Sequence, residues 1–86
     1  MPPAPSPTPA RLAKAQYGGL TTREREVARL IARGLSNRAI AEHLILGERT
    51  VESYVGNILS KLAFTNRSQI AAWAVEVGLN RRLGFA

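Results

Sequence analysis

One face of a predicted helix carries side chains that can hydrogen-bond to an external partner. Positions 49, 53, 56 and 60 lie 4, 7 and 11 residues beyond the first, which places them on one side of a helix. These positions hold Arg49, Ser53, Gly56 and Ser60, with Glu52 and Asn57 at the flanks. A guanidinium donates hydrogen bonds, a carboxylate accepts them, and hydroxyl and amide groups do both. The set suits recognition of a polar surface; the simpler interpretation is a solvated helix face.

The residue types that commonly perform catalysis are scarce. The chain has a single histidine, His43, and neither aspartate nor cysteine. His43 stands beside Glu42 on a short predicted helix, where we expect it at the surface rather than in a catalytic site. Without cysteine there is no disulfide or thiolate metal site, and no glycine-rich phosphate loop is present. We therefore expect a protein that is not an enzyme and that holds no cofactor and no metal.

Four helices are predicted to position these groups, over residues 22–33, 37–44, 48–63 and 67–77. Thr21 with Glu24, and Asn66 with Gln69, have the spacing of capping pairs, and Ser36 can cap the second helix. Glycines at 34 and 78 end the first and fourth helices because glycine adopts the left-handed cap at low cost. No segment alternates like a strand.

The second and third predicted helices have the pattern of a helix-turn-helix. A short helix, a tight turn and a longer helix follow one another. Ala41 is small where the two helices must approach closely, and Val51, ten residues later, is an apolar residue that can fill the angle between them. The third helix has the clearest apolar stripe, formed by Val51, Val55, Ile58, Leu59 and Leu62. The expected fold is all-α, a four-helix bundle-like domain with a central helix-turn-helix.

The charge of the chain favours a polyanionic partner. The net charge is +6 and the isoelectric point about 11.2. Residues 20–79 contribute only +2, since eight Lys and Arg face six Glu there. At the start of the second helix, orphan backbone N–H groups attract phosphate. The candidate phosphate contacts are Ser36, Asn37, Arg38, Thr50 and Lys61. Each also has a plain structural interpretation, as a cap, a helix-start residue or a solvated charge.

The chain divides into three segments by composition. Residues 1–19 contain all five prolines and are expected to form a disordered arm or linker. Residues 20–79 are the predicted folded domain, and residues 80–86 a C-terminal tail. No apolar run approaches the ~18 residues of a membrane span, so we expect no membrane contact. We expect a cytoplasmic location. The proline-rich arm suggests the C-terminal piece of a larger protein.

Five segments in fixed order resemble the DNA-binding domains of LuxR-type bacterial transcription regulators. They are LTTREREV (20–27), GLSNRAIA (34–41), ERTVESYV (48–55), NILSKL (57–62) and NRSQ (66–69). The resemblance implies sequence-specific binding of double-stranded DNA with the third helix in the major groove. It makes Arg49, Glu52, Ser53, Gly56 and Asn57 the candidate base-reading residues.

Three positions of the third helix depart from the family pattern. The family often has lysine at the place of Glu52, histidine at that of Tyr54, and a basic residue at that of Gly56. A carboxylate facing the groove accepts from cytosine but repels phosphate, so we expect weak binding by a monomer.

Two alternatives stay open. One is the promoter-recognition region of a sigma factor, which leaves RNA polymerase as a further candidate partner, and the other is a protein-interaction module that has lost DNA binding.

The resemblance also implies that two copies pair through the fourth helix on DNA. That helix is apolar on most sides, and Trp73 and Val75 point in roughly opposite directions, so both cannot face one core. We expect Trp73 to be the exposed one, because interfaces favour tryptophan. The alternative is that Trp73 packs on the first helix or against Leu83 and Phe85. The candidate dimer interface is Ala72, Trp73 and Glu76.

Overall fold

All four predicted helices are present. The computed structural model describes residues 17–79, so the C-terminal tail and residues 1–16 of the proline-rich arm lie outside the described residues. The helices are α1 Thr22–Ala32, α2 Asn37–Leu44, α3 Glu48–Leu62 and α4 Arg67–Glu76. No strand occurs between residues 17 and 79. The predicted all-α fold is confirmed.

Side chains cap three of the helices as their spacing predicts. At the start of α1, the Thr21 hydroxyl accepts from the Glu24 N–H at 3.2 Å, and the Glu24 carboxylate accepts from the Thr21 N–H at 2.8 Å. Asn66 and Gln69 form the same reciprocal pair at α4. Ser36 caps α2 by accepting from the N–H of the third helical residue. These bonds satisfy N–H groups that have no partner within the helix.

Three helices end one residue earlier than predicted. Arg33, Ala63 and Val77 are the C-cap residues of α1, α3 and α4 rather than their last helical residues. Ala63 has a φ of 56°, in the left-handed region, which ends α3 there. Gly34 has a φ of 89° and ends α1 in the predicted way. A shift of one residue is within the usual ambiguity of helix ends.

One apolar core joins the four helices. Helix α1 packs against α3 and α4, and α2 packs chiefly against α3. The fully buried large side chains come from every helix and from the turn Tyr17–Leu20 that precedes α1, called the entry turn below. They are Leu20, Val27, Leu30, Ile40, Val51, Ile58 and Ile70. Each of these burials stabilises the fold by about 1.5–3 kcal/mol. This packing turns the polar sides of α2 and α3 outward.

The turn between α2 and α3 has the predicted close packing and one strained residue. Ala41 and Val51 are both buried, in agreement with their expected places in the angle between the helices. Ile45 ends α2 with a φ of 57° and is 90% exposed. A left-handed conformation is unfavourable for a β-branched residue. The tight turn that orients α3 therefore has a local cost.

A turn formed by Tyr17–Leu20 closes over the end of α3 and over α4, with the Leu20 N–H bonded to the Tyr17 carbonyl at 3.1 Å. Gly18 has a φ of 64°, and a Cβ atom there would overlap the Leu62 side chain and lie 3.7 Å from the Trp73 ring. The described fold thus includes residues 17–19, which the sequence assigns to the arm, because glycine allows the chain to approach Leu62 at the end of α3 this closely.

The exposed side of α4 differs from the prediction. Trp73 is half-buried and packs against the core, whereas Val75 is 51% exposed. The expectation that Trp73 is the exposed member of this pair is therefore wrong. The tryptophan ring lies between the core, against which it packs, and the entry turn, where Gly18 is its neighbour. The proposed packing of Trp73 on Leu83 and Phe85 lies outside the described residues.

Candidate nucleic-acid interface

The five predicted base-reading residues share the outer side of α3. Arg49, Glu52, Ser53, Gly56 and Asn57 are all exposed, and so is Ser60. On the opposite side of the same helix, Val51 and Ile58 are fully buried. The core therefore holds α3 by one stripe and leaves a continuous polar face free for a partner.

Gly56 lies at the middle of this face without an internal reason to be glycine. A Cβ atom built at Gly56 would meet no heavy atom within 4 Å, and its φ is that of an ordinary helical residue. Glycine within a helix costs about 1 kcal/mol relative to alanine. The lack of a side chain leaves a shallow gap between Ser53 and Asn57. A surface such as the edge of a duplex can approach the α3 backbone closely at this gap.

Two cations flank the polar face without an internal counter-charge. Between residues 17 and 79, the ion pairs are Arg23 with Glu26 and Lys61 with Glu24. Arg38, at the start of α2, and Arg49, at the start of α3, are exposed and belong to neither pair. Their guanidinium groups are therefore available to an anionic partner.

The start of α2 is held in place by a residue of α4. Arg67 Nη1 donates to Asn37 Oδ1 at 2.5 Å, and Arg67 Nη2 donates to the Leu35 carbonyl at 2.6 Å. Burial lowers the pKa of Arg67 from its ordinary value, although a guanidinium stays charged at any physiological pH. Sequence reasoning missed Arg67. The sequence feature that could have pointed to Arg67 is a cation at the first position of a helix, where the helix dipole disfavours positive charge.

The other predicted phosphate contacts lie in different surroundings. Ser36 and Thr50 are exposed near the starts of α2 and α3, and the Ser36 hydroxyl is engaged in capping. Lys61 lies in the last turn of α3, where its Nζ is 2.7 Å from Glu24 Oε1 and 3.5 Å from the Gly19 carbonyl. The structure thus provides a structural role for Lys61 that the sequence did not reveal, and its contact with phosphate stays a prediction.

Glu24 is the buried partner of that ion pair. Burial alone raises the pKa of the Glu24 carboxyl, but hydrogen bonds from Lys61 and from the Thr21 N–H, together with the Lys61 charge, outweigh this effect. The pKa of Glu24 therefore lies below its ordinary value. The charged carboxylate links the start of α1 to the end of α3 and helps to fix the angle at which α3 presents its polar face.

The chain matches the description "Bacterial regulatory proteins, luxR family" over residues 19–74, which is more than half of its length. The match includes α1, α2, α3 and most of α4. The chain belongs to the luxR family. Its helix-turn-helix is a DNA-binding element of transcription regulation, as the resemblance implied. The sigma-factor and interaction-module alternatives are not favoured.

Three curated luxR-type relatives cover most of the chain. It is 45% identical over 67 residues to the uncharacterized transcriptional regulatory protein YhcZ of Bacillus subtilis, covering 78% of the chain and 31% of the relative. It is 41% identical over 66 residues to the DNA-binding transcriptional activator DevR/DosR of Mycobacterium tuberculosis, covering 77% and 30%. It is 39% identical over 74 residues to the two-component response regulator PprB of Pseudomonas aeruginosa, covering 78% and 27%.

The chain spans about a third of the length of these luxR-type relatives or slightly less. The family is one of DNA-binding regulators rather than of enzymes. Within residues 17–79, no helix has both the length and the apolar character needed to cross a membrane.

Proposed function

We propose that α3 lies in the major groove of double-stranded DNA and that its exposed face reads base edges. The observation that carries this proposal is the uninterrupted polar face of α3 with Gly56 at its centre and Arg49 at its start. Groove contacts of recognition helices concentrate near the helix start. Arg49 is long enough to pair with guanine or with phosphate, and Ser53 and Asn57 can both donate and accept.

Phosphate contacts surround this reading face in the proposal. Ser36, Asn37 and Arg38 form the first turn of α2 and its cap, where unpaired backbone N–H groups and the helix dipole favour an anion. Arg38 adds an exposed cation without an ion pair in the described residues. Thr50, at the third position of α3 and next to Arg49 in the chain, supplies an exposed hydroxyl in the first turn of that helix. These contacts fix the register of the domain on the duplex.

A second copy of the domain completes the proposed complex by pairing through α4. Ala72, Val75 and Glu76 form an exposed strip on that helix, with Trp73 half-buried beside it. An exposed valine next to an exposed alanine is a small apolar surface that a two-fold partner would cover. Two paired domains would place two α3 helices about one helical turn of DNA apart. Pairing raises avidity and offsets the repulsion between Glu52 and phosphate.

One further partner and a location accompany the proposal. A protein that regulates transcription by binding bacterial DNA acts in the cytoplasm, where the chromosome lies. RNA polymerase is a candidate partner, because a regulator of transcription acts at the DNA that this enzyme transcribes. The relatives, which are about three times longer, support a role as the DNA-binding part of a longer regulator.

The test of DNA binding is a salt titration with labelled duplex DNA. The wild-type chain is titrated into a mixed-sequence duplex of about two helical turns at several salt concentrations, and binding is followed by fluorescence anisotropy. Each neutralised phosphate contributes about −0.9 to the slope of log affinity against log salt. We expect a slope of several units. A slope near zero, or no binding at low salt, contradicts the proposal.

A further inference from the structure

One guanidinium connects the start of α4 to the start of α2. Arg67 donates to Asn37 Oδ1 and to the Leu35 carbonyl, 30 and 32 residues earlier in the chain. Leu35 and Asn37 flank Ser36, which caps α2. Because an arginine presents its N–H groups in a rigid fork, both bonds together define the position of the backbone just before α2.

The place of Arg67 is electrostatically unfavourable in the free protein. It is the first residue of α4 and also lies beside the first turn of α2, so its charge faces the positive ends of two helix dipoles. The guanidinium is half-buried, and neither of the ion pairs found between residues 17 and 79 includes it. Its two hydrogen bonds therefore hold the guanidinium in place despite repulsion from the two helix ends. A nearby anion would reduce this repulsion.

The bond from Arg67 determines which way the Asn37 amide points. An arginine has only donors, so the Asn37 atom that faces it must be the carbonyl oxygen. The NH2 group of Asn37 is then turned away from Arg67. Within the described residues, the Asn37 NH2 makes no hydrogen bond. No buried side-chain nitrogen or oxygen there lacks a partner, so an NH2 group without one is not buried but open to solvent. It adds a donor to the unpaired backbone N–H groups of the first turn of α2.

We propose that Arg67 is a positioning residue for DNA binding, which orients Asn37 so that its side-chain NH2 donates to a backbone phosphate. The inference rests on the proposed contact between the start of α2 and DNA. Arg67 acts through Asn37 and Leu35, and the contact with the duplex is made by Asn37 and the α2 backbone. Phosphate contacts weaken binding to all sequences alike when they are lost, so the idea can be tested without knowledge of the operator.

Asn37→Asp is the most informative variant. Aspartate keeps an oxygen for Arg67, and a carboxylate is favourable at a helix start, so we expect a Tm equal to or above that of the wild type. The same change replaces the outward NH2 by an oxygen that repels phosphate. We expect the affinity for a mixed-sequence duplex to fall about tenfold or more. Gln69→Glu is the matched control, because it makes the same charge change in the first turn of α4.

A double-mutant comparison separates positioning from direct contact. Arg67→Lys keeps the charge but cannot hold Asn37 and Leu35 together, and Asn37→Ala removes the presented amide. We expect each to weaken DNA binding about tenfold, and the double variant to be no weaker than the weaker single variant. Circular dichroism confirms that each variant is folded at the temperature of the binding assay.

The outcomes distinguish this proposal from the one on which it rests. Additive losses in the double variant would show that Arg67 acts on DNA by itself, and an Asn37→Asp variant that binds no worse than Gln69→Glu would show that Asn37 does not face phosphate. Either result overturns the positioning role while wild-type binding stays salt-dependent. Absence of salt-dependent binding by the wild-type chain would instead overturn DNA contact as a whole.

Discussion

Lys61 Nζ lies 2.7 Å from Glu24 Oε1 and joins the last turn of α3 to the first turn of α1. The two residues are 37 positions apart in the chain, and the Glu24 side chain is only 4% exposed. The same carboxylate oxygen accepts from the Thr21 N–H at 2.8 Å. One buried charge therefore caps α1 and holds the end of the helix that carries the polar face.

The Glu24 ion pair predicts that acid destabilises the domain. Because its pKa in the folded state lies below the ordinary 4.5, the charged carboxylate stabilises the fold at pH values above about 4.5. That contribution is lost as the pH falls through the folded-state pKa. We expect the Tm to drop when thermal unfolding is followed by circular dichroism from neutral pH to about pH 3.

Glu24→Gln should lower the Tm at neutral pH and make the remaining acid dependence shallower. The neutral amide leaves buried polar groups imperfectly paired, at a cost of about 1–3 kcal/mol. Glu26→Gln is the control, since Glu26 pairs with Arg23 in a more exposed place, where an ion pair contributes little. An unchanged acid dependence in Glu24→Gln would assign the effect to other carboxylates.

Gly56→Ala should raise stability and lower DNA affinity together. A methyl group meets no atom of the chain at this position, so helix propensity alone favours alanine by about 1 kcal/mol, and the Tm rises by about 4–8 °C. The same methyl group fills the gap through which DNA is proposed to approach α3. Thermal unfolding and anisotropy on a mixed-sequence duplex measure both effects. A stabilised variant with undiminished affinity would place the duplex elsewhere.

Arg49→Ala should weaken binding to a selected operator more than binding to random duplex. Arg49 is exposed at the second position of α3, so the fold is expected to tolerate the change. Loss of a bidentate base contact costs about 1–3 kcal/mol on the operator alone. Arg23→Ala is the matched control, with the same charge change at the start of α1. Equal losses on both duplexes would reassign Arg49 to phosphate.

Val75→Gln should abolish cooperative binding to two half-sites while single-site affinity stays unchanged. Val75 is exposed beside Ala72 on α4, so a polar side chain there disturbs a partner surface rather than the core. Ile45→Gln is a matched control, since Ile45 is the other exposed large apolar residue in the described part of the chain. Cooperativity that survives Val75→Gln would place the pairing surface away from this strip.

Trp73→Ala should instead act on folding. The indole packs against the core and beside Gly18, so its removal leaves a cavity under the entry turn. Cavities of this kind typically cost several kcal/mol, about 3–5 for a fully buried tryptophan. We expect a lower Tm and a parallel loss of affinity on one and two half-sites. A loss of cooperativity alone, with an unchanged Tm, would make Trp73 an interface residue.

Local chemistry along the chain determined the helices and the outer face of α3. Each side-chain cap joins atoms only three residues apart, so the sequence alone predicts it. The caps are formed by Thr21 with Glu24, by Ser36, and by Asn66 with Gln69. The stripe containing Val51 and Ile58 has helical spacing, and its burial leaves the opposite face exposed. The five motifs were sufficient to identify the family, because residue types, their order and their spacing are all properties of the sequence itself.

Tertiary packing alone decided which polar groups pair across the fold and which apolar side of α4 is covered. Lys61 with Glu24 and Arg67 with Asn37 are 37 and 30 residues apart, and only the crossing of the helices brings them together. Trp73 and Val75 are both apolar, and sequence could not rank their burial. The covering of Trp73 depends on an entry turn whose glycine permits a left-handed backbone in contact with Leu62, a relationship between segments that no local pattern encodes.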